Sequence, residues 1–326
     1  MAINEAAKAV LKALSYAHLD LPAARRFAEI KSFDPLKGLY KTIDHKFLNG
    51  DHEVPTRIYI PEKCPDCGCN MENNTLPVML FCHGGGFVTE SVDTYNRTCR
   101  NLANSTGQVV VSVDYRLAPE SRFPIGLEDC YAVAKAIFCE RGILSVDPCN
   151  ITLIGDSAGG NITAALCQMA RDRGEFMPRR QILIYPCVDN DYSENSKYPS
   201  VTENGTDYLL TRRDMQEYMD LYKTCDADFD NPYFSPIKAE NFTDLPRTLL
   251  ITAEFDPLRD EGEAYAYRLL QAGVKVEMHR IPDSLHGFFA MNASYKPVKQ
   301  CISYINGFLK EDDSDASNKK SEMAQA

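Results

Sequence analysis

A regular alternation of short apolar runs and helical stretches, beginning near residue 76, constrains the fold of this chain more than any other feature. The apolar runs contain few polar residues, as do strands that are buried on both faces of a sheet. Because strands of this kind, joined by helices, form a parallel sheet, the pattern predicts a doubly wound α/β fold. The predicted strands cover residues 76–82, 109–113, 151–154, 182–185, 249–252 and 275–281, and the predicted helices cover residues 96–104, 127–141, 158–171, 261–272 and 298–309.

The segments outside this alternation have patterns of their own, which predict two further strands, N-terminal helices, a cap and a tail. Apolar and polar residues alternate in 41–48 and 54–60, which is typical of half-buried antiparallel strands. Helical spacing predicts two N-terminal helices, and a long polar gap in the alternation, with one helical stretch at 213–223, predicts an inserted cap. The final segment is charged and nearly free of apolar residues, which predicts disorder. We therefore assign residues 1–40 to the N-terminal part of the cap, 41–188 and 246–310 to the α/β core, 189–245 to the cap insertion and 311–326 to a disordered tail.

The acidic composition excludes several classes of partner. A net charge of −11 would repel the phosphates of nucleic acids and anionic membrane surfaces. No run approaches the roughly 18 apolar residues of a membrane span, so we expect no integral membrane contact. The N-terminus lacks the apolar stretch of a signal peptide, which favours a cytoplasmic protein with reduced cysteines. We expect a small-molecule partner, and the sequence leaves an oligomer open.

One motif points to nucleophilic catalysis. The only Gly-x-Ser-x-Gly of the chain is Gly155-Asp156-Ser157-Ala158-Gly159, between the strand predicted at 151–154 and the following helix. A sharp turn from strand to helix exposes the serine hydroxyl, and small flanking residues keep the space around it open. The same motif can also be a plain turn, but its place between strand and helix favours Ser157 as the catalytic nucleophile.

The partners of such a serine follow it in the order acid, then histidine. Of the two histidines after Ser157, His279 lies inside the strand predicted at 275–281, whereas His286 lies just beyond its end. In open α/β sheets, ligands bind beyond the carboxyl ends of the strands. We therefore predict that His286 is the base. Asp256 lies in the loop after the strand at 249–252, and this position predicts that Asp256 is the acid of the triad. Its rivals are Glu254, which lies closer to that strand, and Asp260, which we expect to cap the next helix.

A glycine-rich loop supplies the third part of the site. His83-Gly84-Gly85-Gly86-Phe87 follows the strand predicted at 76–82, and successive glycines let the backbone approach a substrate closely. The alternatives are a flexible loop and a phosphate cradle. The phosphate cradle is disfavoured because neither a Lys-Ser/Thr pair nor a Gly-x-Gly-x-x-Gly pattern accompanies the glycines.

Taken together, these motifs resemble the hormone-sensitive-lipase-like family of α/β-hydrolase serine esterases. The resemblance implies an α/β-hydrolase fold with a helical cap, an oxyanion hole formed by the N–H groups of Gly85, Gly86 and Ala158, and a histidine, His83, that braces the loop. The motifs occur in family order over about 76–309 and also include Asp114-Tyr115-Arg116-Leu117-Ala118-Pro119-Glu120, Asp256-Pro257-Leu258-Arg259-Asp260-Glu261-Gly262 and His286-Gly287-Phe288.

The predicted function is therefore hydrolysis of short- to medium-chain acyl esters by a Ser157-His286-Asp256 triad through an acyl-enzyme, with no cofactor and no metal. Two alternatives remain: an amidase or deacetylase with the same triad, and a small-molecule receptor on the same fold. The receptor is disfavoured because receptors that resemble this family lack the histidine. One departure from the family is Cys64, Cys67 and Cys69, which are spaced as metal ligands but lack an evident fourth ligand. We interpret them as reduced thiols in a hairpin loop.

Overall fold

The computed structural model describes residues 10–13, 15, 20–31, 38, 40–62, 77–139 and 150–323, with the backbone alone from residue 311 onward. Several sequence predictions lie outside these residues. They are the start of the first N-terminal helix, the loop that contains Cys64, Cys67 and Cys69, and the last three residues of the tail.

In the described residues, eight strands form one mostly parallel sheet, as the alternation predicts. Their order in the sheet is β1-β2-β4-β3-β5-β6-β7-β8. The pairs of β1 with β2 and of β2 with β4 are antiparallel, and every other pair is parallel. The strands are β1 (Thr42–Asn49), β2 (His52–Tyr59), β3 (Val78–Cys82), β4 (Val109–Val113), β5 (Ile151–Asp156), β6 (Arg180–Ile184), β7 (Arg247–Phe255) and β8 (Val276–Leu285).

Helices cover both faces of this sheet. In β3, Leu80 belongs to the core beneath one face and Phe81 to the core beneath the other, because successive side chains of a strand point in opposite directions. The doubly wound α/β fold is therefore confirmed. The helices are α1 (Leu21–Lys31), α2 (Asn96–Thr106), α3 (Ile125–Cys139), α4 (Ala158–Arg173), α5 (Pro199–Asn204), α6 (Arg212–Tyr222), α7 (Arg259–Gln271) and α8 (Lys296–Met323), with short 3₁₀ helices at Asp226–Asp230, Pro236–Lys238 and Phe288–Ala290.

Two elements extend further than the sequence pattern predicts. Strand β8 continues to Leu285, past the polar residues where the apolar pattern ends, since it pairs with β7 as far as Phe255 across a register shift. The backbone of α8 stays helical to Met323, into the tail for which composition predicts disorder. Polar residues add no buried apolar surface, but they can still extend a helix that has already formed. Each residue added to an existing helix gains one hydrogen bond.

The N-terminal helix α1 is fixed to the core by one arginine. Arg25 donates to the carbonyl oxygens of Val88 (2.9 Å) and Ala118 (2.8 Å), and its guanidinium forms a two-bond ion pair with Glu120. Val88 directly follows the glycine loop, so α1 contacts the loop region. Phe27, on the same helix, is 57% exposed.

The cap insertion contains α5, α6 and two of the 3₁₀ helices, where the sequence predicts a single helical stretch. Its apolar residues Met215, Met219 and Tyr222 are buried against the core, although the composition of the insertion is largely polar. Tyr222 stacks on Phe87 of the glycine loop, with ring centroids 3.9 Å apart and planes 2° from parallel. Helix α6 therefore lies directly over the loop.

A search for a bilayer-crossing segment gives a negative result for the part of the chain that the structure describes: no helix there has both the length and the apolar character required.

Candidate active site

Ser157 occupies the turn between β5 and α4, in a conformation that residues with a side chain rarely adopt. Its φ is 54° and its ψ is −120°. The turn is held on both sides: the Ser157 N–H donates to the Ile184 carbonyl (2.9 Å) and the Ser157 carbonyl accepts from the Cys187 N–H (3.3 Å). A Cβ on Gly160 would lie 2.8 Å from Pro186, so this glycine lets the turn lie against the end of β6. Strain of this kind persists where the surroundings fix the backbone.

The fold brings His286 and Asp256 to this serine. His286 follows the last residue of β8, and its Nε2 lies 2.8 Å from Ser157 Oγ. Its Nδ1 lies 2.7 Å from Oδ2 of Asp256, whose side chain is fully buried. The other carboxylate oxygen of Asp256 accepts the Leu258 N–H at 2.8 Å, which fixes the orientation of the carboxylate. The three groups are thus connected in the order hydroxyl, imidazole and carboxylate, which is the order that nucleophilic catalysis requires.

The rival acids have other partners. Glu254 accepts the backbone N–H of Asp283 at 2.7 Å and so links the ends of β7 and β8. The expectation that Asp260 caps the following helix is wrong: α7 begins at Arg259, and Asp260 is already in its first turn. Asp260 accepts the Ser200 N–H at 2.7 Å, near the start of α5 in the cap. Both rivals are therefore engaged in connecting structural elements.

The rival histidine is also engaged elsewhere. His279 lies within β8, where its Nε2 is 2.7 Å from Glu277 Oε1. Its ring stacks on Tyr304 of α8, with centroids 3.7 Å apart. His279 thus lies inside a strand, as the sequence predicts, and local contacts engage its ring.

The glycine loop is packed too tightly for side chains. Gly85 and Gly86 have φ values of 108° and 61°, in the region that favours glycine. A Cβ on Gly86 would lie 2.6 Å from the ring of Tyr218 in α6, and a Cβ on Gly85 would lie 2.8 Å from Cγ of Glu90. The N–H of Ala158 is at the first position of α4, where helical N–H groups have no partner within the helix.

His83 supports the loop from below. It is fully buried, its Nδ1 lies 2.7 Å from the Gly84 carbonyl, and its ring stacks on Tyr115 with centroids 4.4 Å apart. Burial lowers the pKa of His83, so the neutral imidazole is favoured there. These contacts match the bracing role that the family resemblance implies.

Sequence reasoning missed a buried carboxylate that connects the parts of the site. Asp156 precedes the serine; its Oδ1 accepts the Gly84 N–H (2.9 Å), and its Oδ2 accepts the hydroxyls of Tyr95 (2.9 Å) and Tyr185 (3.1 Å). The Tyr185 hydroxyl in turn accepts the N–H of Phe289, three residues after His286. Burial raises the pKa of Asp156 to about 6, although the tyrosine hydrogen bonds lower it. The glycine loop, the serine turn and the histidine loop thus share one anchor.

A second buried carboxylate holds the start of the cap. Glu261 of α7 is fully buried, and its Oε1 accepts the Val188 N–H at 2.7 Å and the Tyr192 hydroxyl at 3.1 Å. Burial raises the pKa of Glu261 well above its usual value. The helix that follows Asp256 is thereby connected to the first residues of the insertion.

A model of the α/β-hydrolase fold matches residues 79–290. The chain belongs to this family. An arylesterase from Saccharolobus solfataricus is 37% identical to this α/β-hydrolase over 272 residues, 83% of each chain. An ethyl acetate hydrolase from Pseudomonas putida is 35% identical over 243 residues, 74% of this chain and 73% of the relative.

The solved structures that resemble this chain also include esterases. A hyperthermophilic esterase from the archaeon Pyrobaculum calidifontis superposes with a TM-score of 0.81 at 35% identity, over 95% of this chain and 99% of the esterase. The resemblance to the hormone-sensitive-lipase-like esterases is confirmed, and this α/β-hydrolase is a carboxylic ester hydrolase.

Proposed function

We propose that this α/β-hydrolase is a serine carboxylesterase whose triad is Ser157, His286 and Asp256. The observation that carries the proposal is the unbroken chain of contacts from Ser157 Oγ to His286 Nε2 (2.8 Å) and from His286 Nδ1 to Asp256 (2.7 Å). His286 takes the hydroxyl proton as Ser157 attacks the ester carbonyl. Asp256 holds the imidazole in the required tautomer and stabilises the imidazolium that forms.

The N–H groups of Gly85, Gly86 and Ala158 are proposed to bind the oxyanion of each tetrahedral intermediate. The Gly84 N–H already donates to Asp156, so its part is to fix the loop. Donors that are held in place before the reaction need no reorganisation as charge develops on the carbonyl oxygen, which makes them a large contribution to catalysis.

The reaction then proceeds in two stages. His286 gives its proton to the leaving alcohol, and the acyl group remains on Ser157 as an ester. A water molecule next loses a proton to His286 and attacks the acyl-enzyme through a second tetrahedral intermediate. Collapse of this intermediate releases the acid and returns the proton to Ser157.

The test of the triad is Ser157→Ala, which is expected to lower kcat by about 10⁶-fold in a folded protein. Ser193→Ala, at an exposed position in the cap, is the matched control and should keep full activity. A p-nitrophenyl phosphonate should phosphonylate Ser157 with release of p-nitrophenol, which adds the mass of the phosphonyl group to the peptide that contains Ser157 in the wild type and in Ser193→Ala and leaves the same peptide of Ser157→Ala unmodified. An alanine variant with wild-type turnover would remove Ser157 from the mechanism.

Short- to medium-chain esters are the proposed substrates. The relative named as an ethyl acetate hydrolase supports small acyl groups, and helix α6 closes over the glycine loop through the contact of Tyr222 with Phe87. Each methylene that a finite pocket buries contributes about 0.8 kcal/mol until the pocket is full. The value of kcat/KM across p-nitrophenyl esters from acetate to palmitate should rise and then fall at short or medium length. A steady rise to palmitate, or a jump when an emulsion forms, would contradict this substrate range.

A further inference from the structure

Helix α5 of the cap donates hydrogen bonds to the loop that carries Asp256. Asn204 Nδ2 donates to the Asp256 carbonyl at 3.2 Å and lies 3.5 Å from the Glu254 carbonyl. Ser200 Oγ donates to the Pro257 carbonyl at 2.8 Å. Two side chains of one short helix therefore contact several backbone carbonyls of the loop that contains the proposed acid.

The amide of Asn204 is buried at the end of α5. The residue is 4% exposed and is the last of the helix. The Asp256 carbonyl also accepts the Arg259 N–H at 3.2 Å, so the amide shares this carbonyl with a backbone donor. Removing the amide deprives a buried carbonyl of a partner and leaves the backbone of Asp256 less firmly held.

Other contacts fix α5 beside this loop. The Glu203 carboxylate pairs with the Arg259 guanidinium at 2.8 Å. Past the end of the helix, the ring of Tyr208 stacks on Phe255, with centroids 5.0 Å apart and planes 11° from parallel. These contacts flank Asn204 in the chain, so its amide is presented to the Asp256 carbonyl in a fixed place.

The position of this backbone decides where the carboxylate of Asp256 lies. Its Oδ2 lies 2.7 Å from His286 Nδ1, and its Oδ1 accepts the Leu258 N–H at 2.8 Å. Both oxygens are engaged, so a shift of the Asp256 backbone disturbs one or both contacts. A misplacement of about 1 Å in a catalytic group can cost about 100-fold in rate.

We propose that Asn204 is a positioning residue for the reaction, through which the cap holds the backbone of Asp256 so that its carboxylate meets His286. The inference rests on the proposed function, since it takes Asp256 as the acid of the triad. It gives the cap a part in the chemical step, because Asn204 belongs to the insertion and not to the α/β core. An amide that only stabilised α5 would affect folding and leave turnover of the folded protein unchanged.

The first measurement is turnover per active site. Asn204→Ala should lower kcat by about 10- to 100-fold and change KM by less than about twofold, because its effect reaches the reaction through Asp256. Active sites are counted by the p-nitrophenol released when a p-nitrophenyl phosphonate modifies Ser157, so unfolded protein does not contribute. Asn204→Leu, which keeps a branched side chain and removes the donor, is the second variant if the alanine protein fails to fold.

Asn190→Ala is the matched control. Asn190 also lies in the cap, and its Nδ2 donates to the Phe229 carbonyl at 2.7 Å and to Ser235 Oγ at 3.0 Å, both within the cap. The variant removes the same amide group, so it reports the cost of loosening the cap in general. Its kcat should stay within about twofold of the wild type.

A double-variant cycle tests the route through Asp256. Asp256→Ala alone should lower kcat by about 10⁴-fold. Because this variant has no carboxylate left to position, adding Asn204→Ala to it should change the remaining kcat by less than about twofold.

Three results would overturn the inference: an unchanged kcat per active site in folded Asn204→Ala or Asn204→Leu, an equal loss in Asn190→Ala, or a loss of full size when Asn204→Ala is added to Asp256→Ala. Wild-type turnover in folded Asp256→Ala would instead refute the proposed triad, so the two failures are distinguishable.

Discussion

Replacing Asp156 by asparagine should change how the stability of the protein depends on pH. The carboxyl is fully buried, and its pKa rises from 3.8 to about 6 in the folded protein. The folded state therefore holds this proton over a pH range in which the unfolded state has released it. By linkage, the contribution of Asp156 to the free energy of unfolding is largest below the unfolded pKa and is lost as pH rises through the folded pKa.

The size of this effect follows from the two pKa values. The full loss is about 3 kcal/mol, of which about 2 kcal/mol falls between pH 4.5 and pH 7.5. We expect the free energy of unfolding of the wild type, minus that of Asp156→Asn, to decrease by about this amount over that range. Urea unfolding at a series of pH values measures the difference. A constant offset between the two proteins does not affect the test, because only the change with pH is used.

A second variant checks the cause. The Tyr95 hydroxyl donates to Asp156 at 2.9 Å and lowers its pKa, so Tyr95→Phe should move the pH-dependent loss of stability to higher pH. A difference between wild type and Asp156→Asn that stays flat, or that increases with pH, would refute the reasoning.

Two further substitutions examine the base and the loop. His286→Ala should reduce turnover about as severely as Ser157→Ala. His279→Ala removes only a contact with Glu277 on a strand and should change kcat/KM little. A severe loss of activity in well-folded His279→Ala would reverse the assignment of His286 as the base. Gly86→Ala should lower kcat more than it raises KM, because a Cβ 2.6 Å from the Tyr218 ring must displace the loop or the cap helix; unchanged kinetics would show that the loop tolerates the shift.

The parts of the fold that local sequence signals encode were predicted well. Strands such as β3 and β4 are buried at every position and therefore stand out as apolar runs. The apolar pattern ends β8 too early, since its last residues include Asp283 and Ser284, which form no apolar run, whereas Leu285 beyond them pairs with Phe255 of β7. Pairing between distant segments determines such ends, and the local pattern does not contain it.

The same distinction applies to the site. Ser157, Asp256 and His286 each follow or end a recognisable strand, so their positions were predictable from local context. The anchor at Asp156 was not, because its partners Tyr95 and Tyr185 are 61 and 29 residues away and belong to no motif. Glu90 has a φ of 70°, and the sequence does not predict this conformation, since glutamate is uncommon at positive φ.

The stacking of Tyr222 on Phe87 joins the cap and the glycine loop into one packing unit. An aromatic pair contributes about 0.5–1.5 kcal/mol beyond the area that it buries, and here it joins the insertion to the segment that supplies the oxyanion donors. A chimera that takes its cap from another esterase would lose this contact unless the loop were transplanted with it. We therefore expect a cap and a glycine loop exchanged together as a matched pair to give a more active chimera than a cap exchanged alone.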